Sequence, residues 1–167
     1  MRLKQAAVNF FGNQVNQKII VFESDDWGMI RTSSLASRGN LQKKNYPVQN
    51  CIYNYNDSLE RNVDIERLAN VLNSHKDSRG KPAKFTLNNV AANPDFDAII
   101  ESNYRKYKFE SFTDTLKKYP ESEAVLNLIK KGGEEGVFQI QFHGREHLNV
   151  NRWLTALQSG DQRFMDA

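Results

Sequence analysis

Three short apolar segments, at residues 18–22, 83–90 and 137–142, constrain this chain more than any other feature. Each has the length of a strand, and the stretches between them place apolar residues at helical spacing. In Lys18-Ile19-Ile20-Val21-Phe22 the apolar run is unbroken after the lysine, the pattern of a strand buried on both faces, as parallel strands are. In the second segment Phe85 and Leu87 alternate with Thr86 and Asn88. In the third, Phe138, Ile140 and Phe142 share one face and Gln139, Gln141 and His143 the other. Between them, Ile65, Leu68, Ala69 and Leu72 fall at i, i+3, i+4 and i+7, and Asn93-Pro94 reads as the N-cap and first residue of a helix carrying Phe96, Ile99 and Ile100. Val125, Leu128 and Ile129 mark a helix that starts near Pro120 and ends at Gly132-Gly133. Val150, Trp153, Leu154 and Leu157 mark the last one. Residues 32–60, rich in Ser, Asn, Gln and Tyr, are long for a plain connection, so they form a functional loop or hold short elements. The order predicts an α/β protein, a single domain over residues 1–167, with parallel strands joined by crossover helices.

Composition narrows the function classes. With 39% hydrophobic and 11% aromatic residues the chain can bury a core and does not read as disordered. The single cysteine, Cys51, excludes an internal disulfide and a cysteine-based zinc site, and with no histidine near it in sequence it reads as an idle thiol. No apolar run approaches the ~20 residues of a membrane span. Met1 to Gln17 lacks the apolar stretch of a secretory leader, which favours a cytoplasmic location without fixing it. A net charge of +3 does not point to nucleic acid. Tyr104-Arg105-Lys106-Tyr107-Lys108-Phe109 interleaves rings and cations as single-strand binders do, but an amphipathic connector with packed rings, or a sugar-stacking wall, needs the same residues. The connector is the favoured reading, with no nucleic-acid partner.

Two clusters of ligand-type side chains each follow an apolar segment. Asp25-Asp26 comes after the first, and His143-Gly144-Arg145-Glu146-His147 after the third. Two histidines four apart can meet one ion on a helical turn or on a tight strand-to-helix loop, and a carboxylate from a neighbouring strand completes three protein ligands, the form of a catalytic site with open positions. The same residues spell H-x-x-E-H, an inverted zinc-peptidase signature, but that motif lies within a helix and Gly144 directly after a strand disfavours one. His75, at the end of a helix, reads as a surface residue beside the helix terminus. Trp27 can shield the metal, wall the substrate or join the core. Glu23 can orient a histidine or pair with Arg145. Arg145 and Glu146 flank the site as substrate contacts or, the favoured reading, as a loop salt bridge.

At these residues the chain resembles the polysaccharide deacetylase family, the NodB-homology carbohydrate esterases. Phe22 to Gly28 (FESDDWG) resembles its Asp-Asp motif, and Val125 to Gly136 followed by His143 to His147 resembles its helix, glycine turn, strand and H-x-x-x-H motif. The resemblance covers roughly residues 18–158. It implies a partial (β/α) barrel of the deacetylase type, with Asp25 as general base and Asp26, His143 and His147 holding one divalent ion, zinc or another. It also implies a carbohydrate substrate that loses N- or O-linked acetyl groups. Three departures stand out: Gly144 replaces the usual Thr or Ser, Leu148 the usual Pro, and Trp27 follows the Asp pair. No counterpart of the family's later motifs, which supply its catalytic acid, follows His147. A non-catalytic, sugar-binding relative is therefore the second class of function. Three strands cannot close a barrel, so the expectation is a truncated chain whose open edge is covered by an unusual extra element or by a partner chain, including a second copy in a homo-oligomer.

Overall fold

The computed structural model describes residues 18–162; the reading of Met1 to Gln17 lies outside them. The chain is a mixed α/β protein. Strand β1 (Phe22–Trp27) pairs in parallel with β2 (Phe85–Asn89), and β2 with β3 (Phe138–Phe142), giving a three-stranded parallel sheet with β2 central. Helices α1 (Leu35–Lys43), α2 (Ile52–Tyr55) and α3 (Asn62–Ser74) lie between β1 and β2 in sequence, so residues 32–60 hold short elements. After β2 come the antiparallel pair β4 (Ala92–Pro94) and β5 (Phe109–Ser111), helices α4 (Phe96–Glu101), α5 (Phe112–Lys117) and α6 (Val125–Glu134), and, beyond β3, helix α7 (Val150–Gln158).

The core forms between one face of the sheet and helices α3 and α6. Ile65 and Leu72 of α3, Leu87 of β2, Val125 and Ile129 of α6 and Phe138 of β3 are buried together. Burying side chains of this size, at about 1.5–3 kcal/mol each, drives the sheet and helices together. Gly132 sets how closely α6 approaches β3: a Cβ there would stand 2.7 Å from Phe138 Cε2 and closer still to Cδ2. Its role is therefore packing and not termination. The helix runs on to Glu134, and the chain turns at Gly136, φ +81°.

Three expectations need correcting. Residues 18–21 form no strand, and Ile19, Ile20 and Val21 are exposed; the strand starts at Phe22 and carries the Asp pair inside its last turns. Among the described residues β1 has no neighbour on its outer side to bury such a run. Asn93-Pro94 does not open a helix. Both belong to β4, and Asp95 caps α4, its side chain accepting from Ala98 N. Asn93 is instead fully buried, where its amide donates to Gly28 O and Thr115 Oγ1 and accepts from Ile30 N. The apolar alternation of β3 is only half used, since Phe138 is buried but Ile140 and Phe142 are exposed. Among the described residues, both β1 and β3 are unpaired on their outer side, and no helix is long and apolar enough to cross a membrane.

Candidate metal centre

The opposite face of the sheet is polar. Register aligns Glu23 of β1 with Thr86 of β2 and Gln139 of β3, and Asn88 with Gln141. The ligand-type residues stand at the carboxyl edge of this face, where parallel α/β sheets place their sites. In a regular strand Asp25 and Asp26 would point to opposite faces. Here the register slips between Ser24 and Trp27, so that one extra residue is accommodated in β1, and Asp26 adopts φ +67°. This bulge re-aims the second carboxylate. Both aspartates then reach the same imidazole: His143 Nε2 lies 3.9 Å from Asp25 Oδ2 and 3.8 Å from Asp26 Oδ1.

His143 follows β3 directly, and its N–H donates to Asn89 O, extending the ladder with β2. The next residues keep the alignment, since Ala91 N donates to Gly144 O and Ala92 N to Arg145 O. Gly144, at φ +97°, then turns the chain so that His147 folds back on His143, ring centroids 4.9 Å apart and planes at 62°. His147 Nε2 lies 3.1 Å from Asp26 Oδ1. The segment from His143 to Asn149 is not helical, which removes the inverted-peptidase reading. Asn149 then caps α7, accepting from Arg152 N.

One donor atom from each of Asp26, His143 and His147 lies within 4.8 Å of the others. A tetrahedral ion with bonds of ~2.1 Å spaces its donors about 3.4 Å apart, so the observed 3.1 and 3.8 Å bracket that value. One carboxylate oxygen and two imidazole nitrogens suit a borderline divalent ion. Asp25 stands beside the cluster, 58% of its side chain exposed, and its Oδ1 accepts from Asn88 Nδ2 at 2.7 Å. Arg31 holds the far side of Asp26, its NH2 donating to Oδ2 at 3.0 Å. Arg31 is in turn braced by Asp57, which accepts from its backbone N–H. Burial pushes the Asp57 carboxyl above the usual carboxylate value, although Arg31 opposes the shift.

The remaining site candidates sort themselves by contact. Arg145 forms two hydrogen bonds to Glu146, at 2.5 and 2.7 Å, so the pair is the loop salt bridge favoured from sequence. The Arg145 guanidinium also sits over the Tyr107 and Phe109 rings, and Tyr107 packs edge-on against Trp153. Within the aromatic-basic string Tyr107 is therefore packed while Phe109 is 55% exposed, and burial raises the Tyr107 hydroxyl far above its ordinary pKa. Glu23 is exposed and pairs with neither a histidine nor Arg145; Arg145 is taken by its own neighbour. Trp27 packs against the core, edge-on to Phe85. His75 lies at the end of α3, where its Nδ1 is 2.9 Å from Val71 O. Cys51 is a free, half-buried thiol.

Sequence reasoning missed Asn88 and Arg31. Asn88 carried a usable signal, a polar position alternating with core residues on the strand beside the Asp pair. Arg31 carried none, because only the turn at residues 28–30 brings it back to Asp26.

A cavity of about 370 Å³ opens beside the cluster, lined by Asp26 and His147 together with Ile30, Phe96, Leu148 and Trp153 among others. Fold and site together define an α/β protein with an Asp-His-His cluster, able to hold a metal ion, at the carboxyl edge of a parallel sheet. None of the protein-family models, curated proteins or solved structures compared with the chain matches it.

Proposed function

We propose that the chain is a metal-dependent hydrolase that removes acyl groups, acetyl in the first instance, from a carbohydrate amine or hydroxyl. The resemblance of its two motifs to those of the polysaccharide deacetylases supports this, and with it a partial (β/α) barrel and zinc as the ion. The observation that carries the reading is the convergence of Asp26, His143 and His147, from strands not adjacent in the sheet, with a separate carboxylate alongside.

When bound, a divalent ion supplies Lewis acidity, activating water and polarising the acyl carbonyl. Asp25 accepts the proton of the attacking water, with Asn88 fixing one of its oxygens so that the other faces the cluster. Water oxygen bonds to the carbonyl carbon, the bond to the sugar nitrogen or oxygen breaks, and the leaving atom takes up a proton. Glu146, which also lines the cavity, is tied to Arg145. That leaves Asp25, once protonated, as the group placed to return it. Arg31 fixes Asp26 so that Oδ1 points to the imidazoles.

The test separates binding from chemistry. The purified chain is expected to take up about one zinc per molecule by elemental analysis, with Asp26→Ala and His147→Ala losing it. Asp25→Asn should retain the ion and lose roughly 10²-fold or more in turnover of acetylated chito-oligosaccharides, the loss expected for a general base. Zinc uptake that survives both ligand substitutions would sink the reading.

A further inference from the structure

The cavity beside the cluster is short of polar groups that a ligand could use. Asn93 is fully buried, with both its amide donors and its oxygen engaged. Glu146 is 6% exposed and paired with Arg145. Arg31 is held between Asp26 and Asp57. Asp26 and His147 belong to the metal cluster. Only Asn54 and the indole N–H of Trp153 add polar groups with no hydrogen bond to the described residues. The rest of the wall is apolar, supplied by Met29, Ile30, Pro94, Phe96, Leu148 and the ring of Trp153. A sugar ring placed there would exchange many hydrogen bonds with water for almost none, and each group left unpaired would weaken binding.

The polar face of the sheet, on the other side of the cluster, has the opposite character. Gln139 and Gln141 are exposed, and neither amide is spent on a hydrogen bond to the described residues. The metal cluster therefore stands at a boundary between a polar shelf and an apolar cavity. An ester or amide bridging that boundary would lay its alcohol or amine portion over the sheet and its acyl portion in the cavity. The acetyl methyl would fill a small fraction of about 370 Å³.

We propose that this cavity is an acyl-chain site, and that the substrate's acyl group is longer than acetyl. The proposal rests on the hydrolase reading above and names the acyl class on which that site acts. Each further methylene transferred from water into the cavity adds binding, to a limit set by the cavity's length.

Alkyl hydroxamates, which anchor on a protein-bound zinc through their two oxygens, probe the cavity without requiring turnover. Acetohydroxamate and hexanohydroxamate are titrated calorimetrically into the zinc-loaded full chain. The longer compound, with four more methylenes, is expected to bind about tenfold more tightly or better. Leu148→Trp and, independently, Met29→Phe, each checked for fold by circular dichroism and for zinc content, should shrink that ratio. Equal affinities for the two hydroxamates in the wild-type chain would overturn the proposal, and if acetyl esters are still hydrolysed the enzymatic reading stands without it. If zinc is bound but neither hydroxamate binds, no cavity adjoins the ion's open positions, and both ideas fail. A chain that takes up no zinc removes the hydrolase reading itself and the acyl site with it.

Discussion

Glu60 is a carboxylate that the candidate site does not use but that supports the turn carrying Arg31. Its Oε2 accepts from Gly28 N at 3.1 Å, while Oε1 is buried with no hydrogen-bond partner among the described residues. Burial is the largest influence on this carboxyl and raises it above its ordinary value of 4.5. In the folded chain Glu60 therefore keeps its proton at pH values where the unfolded chain has already lost it. Stability then falls as pH rises from about 4.5 through the folded value, by about 1.4 kcal/mol for each unit of elevation. Asp57, raised by burial as well, acts in the same direction. Glu60→Gln is neutral at every pH and keeps an oxygen for Gly28. Its melting temperature is expected to exceed that of the wild type at pH 8, with the difference vanishing near pH 4. Thermal melts across that range check it, and a difference that does not change with pH would refute the assignment.

At the scale of elements, the close approach of α6 to β3 is decided by one missing methyl group. Alanine is the better helix former by roughly 0.5–1 kcal/mol, yet at Gly132 its Cβ would enter the Phe138 ring. Overpacking of that kind costs about 1–3 kcal/mol. Gly132→Ala is therefore expected to lower stability in urea denaturation by about 1–2 kcal/mol. At Gly133 the nearest atom to an added Cβ is Phe138 O at 4.0 Å. There the same substitution should raise stability by up to about 1 kcal/mol. Two adjacent glycines with opposite responses would separate packing from propensity, and losses of equal size would contradict this account.

At the scale of the whole molecule, the sheet formed by the described residues ends in two unpaired edges. Phe22 on β1 is 47% exposed, and Ile140 and Phe142 on β3 are 50% and 72% exposed. Edge strands with exposed apolar side chains favour pairing with another chain. We expect a second copy to cover the β3 edge, giving a dimer in sedimentation velocity at high micromolar concentration, and Phe142→Lys to return the chain to monomer. A wild-type chain that stays monomeric under those conditions would exclude the idea.

Periodicity and local motif were enough to read the parallel α/β pattern, helices α3, α6 and α7, and the three side chains, Asp26, His143 and His147, that the fold brings together. Leu87 and Ile65 announce burial by their spacing, and His143 and His147 announce a shared site by theirs, because each signal is carried by residues close in the chain. What only the tertiary structure decided involves residues far apart. The slip in β1 that turns Asp26 toward the imidazoles depends on pairing with β2, and the roles of Asn88, Asn93 and Arg31 exist only once β1, β2 and β4 are assembled. Ile19 to Val21 and Ile140 to Phe142 look like core in sequence, yet burial depends on whether a neighbour covers a strand, and a strand's own residues do not encode that neighbour.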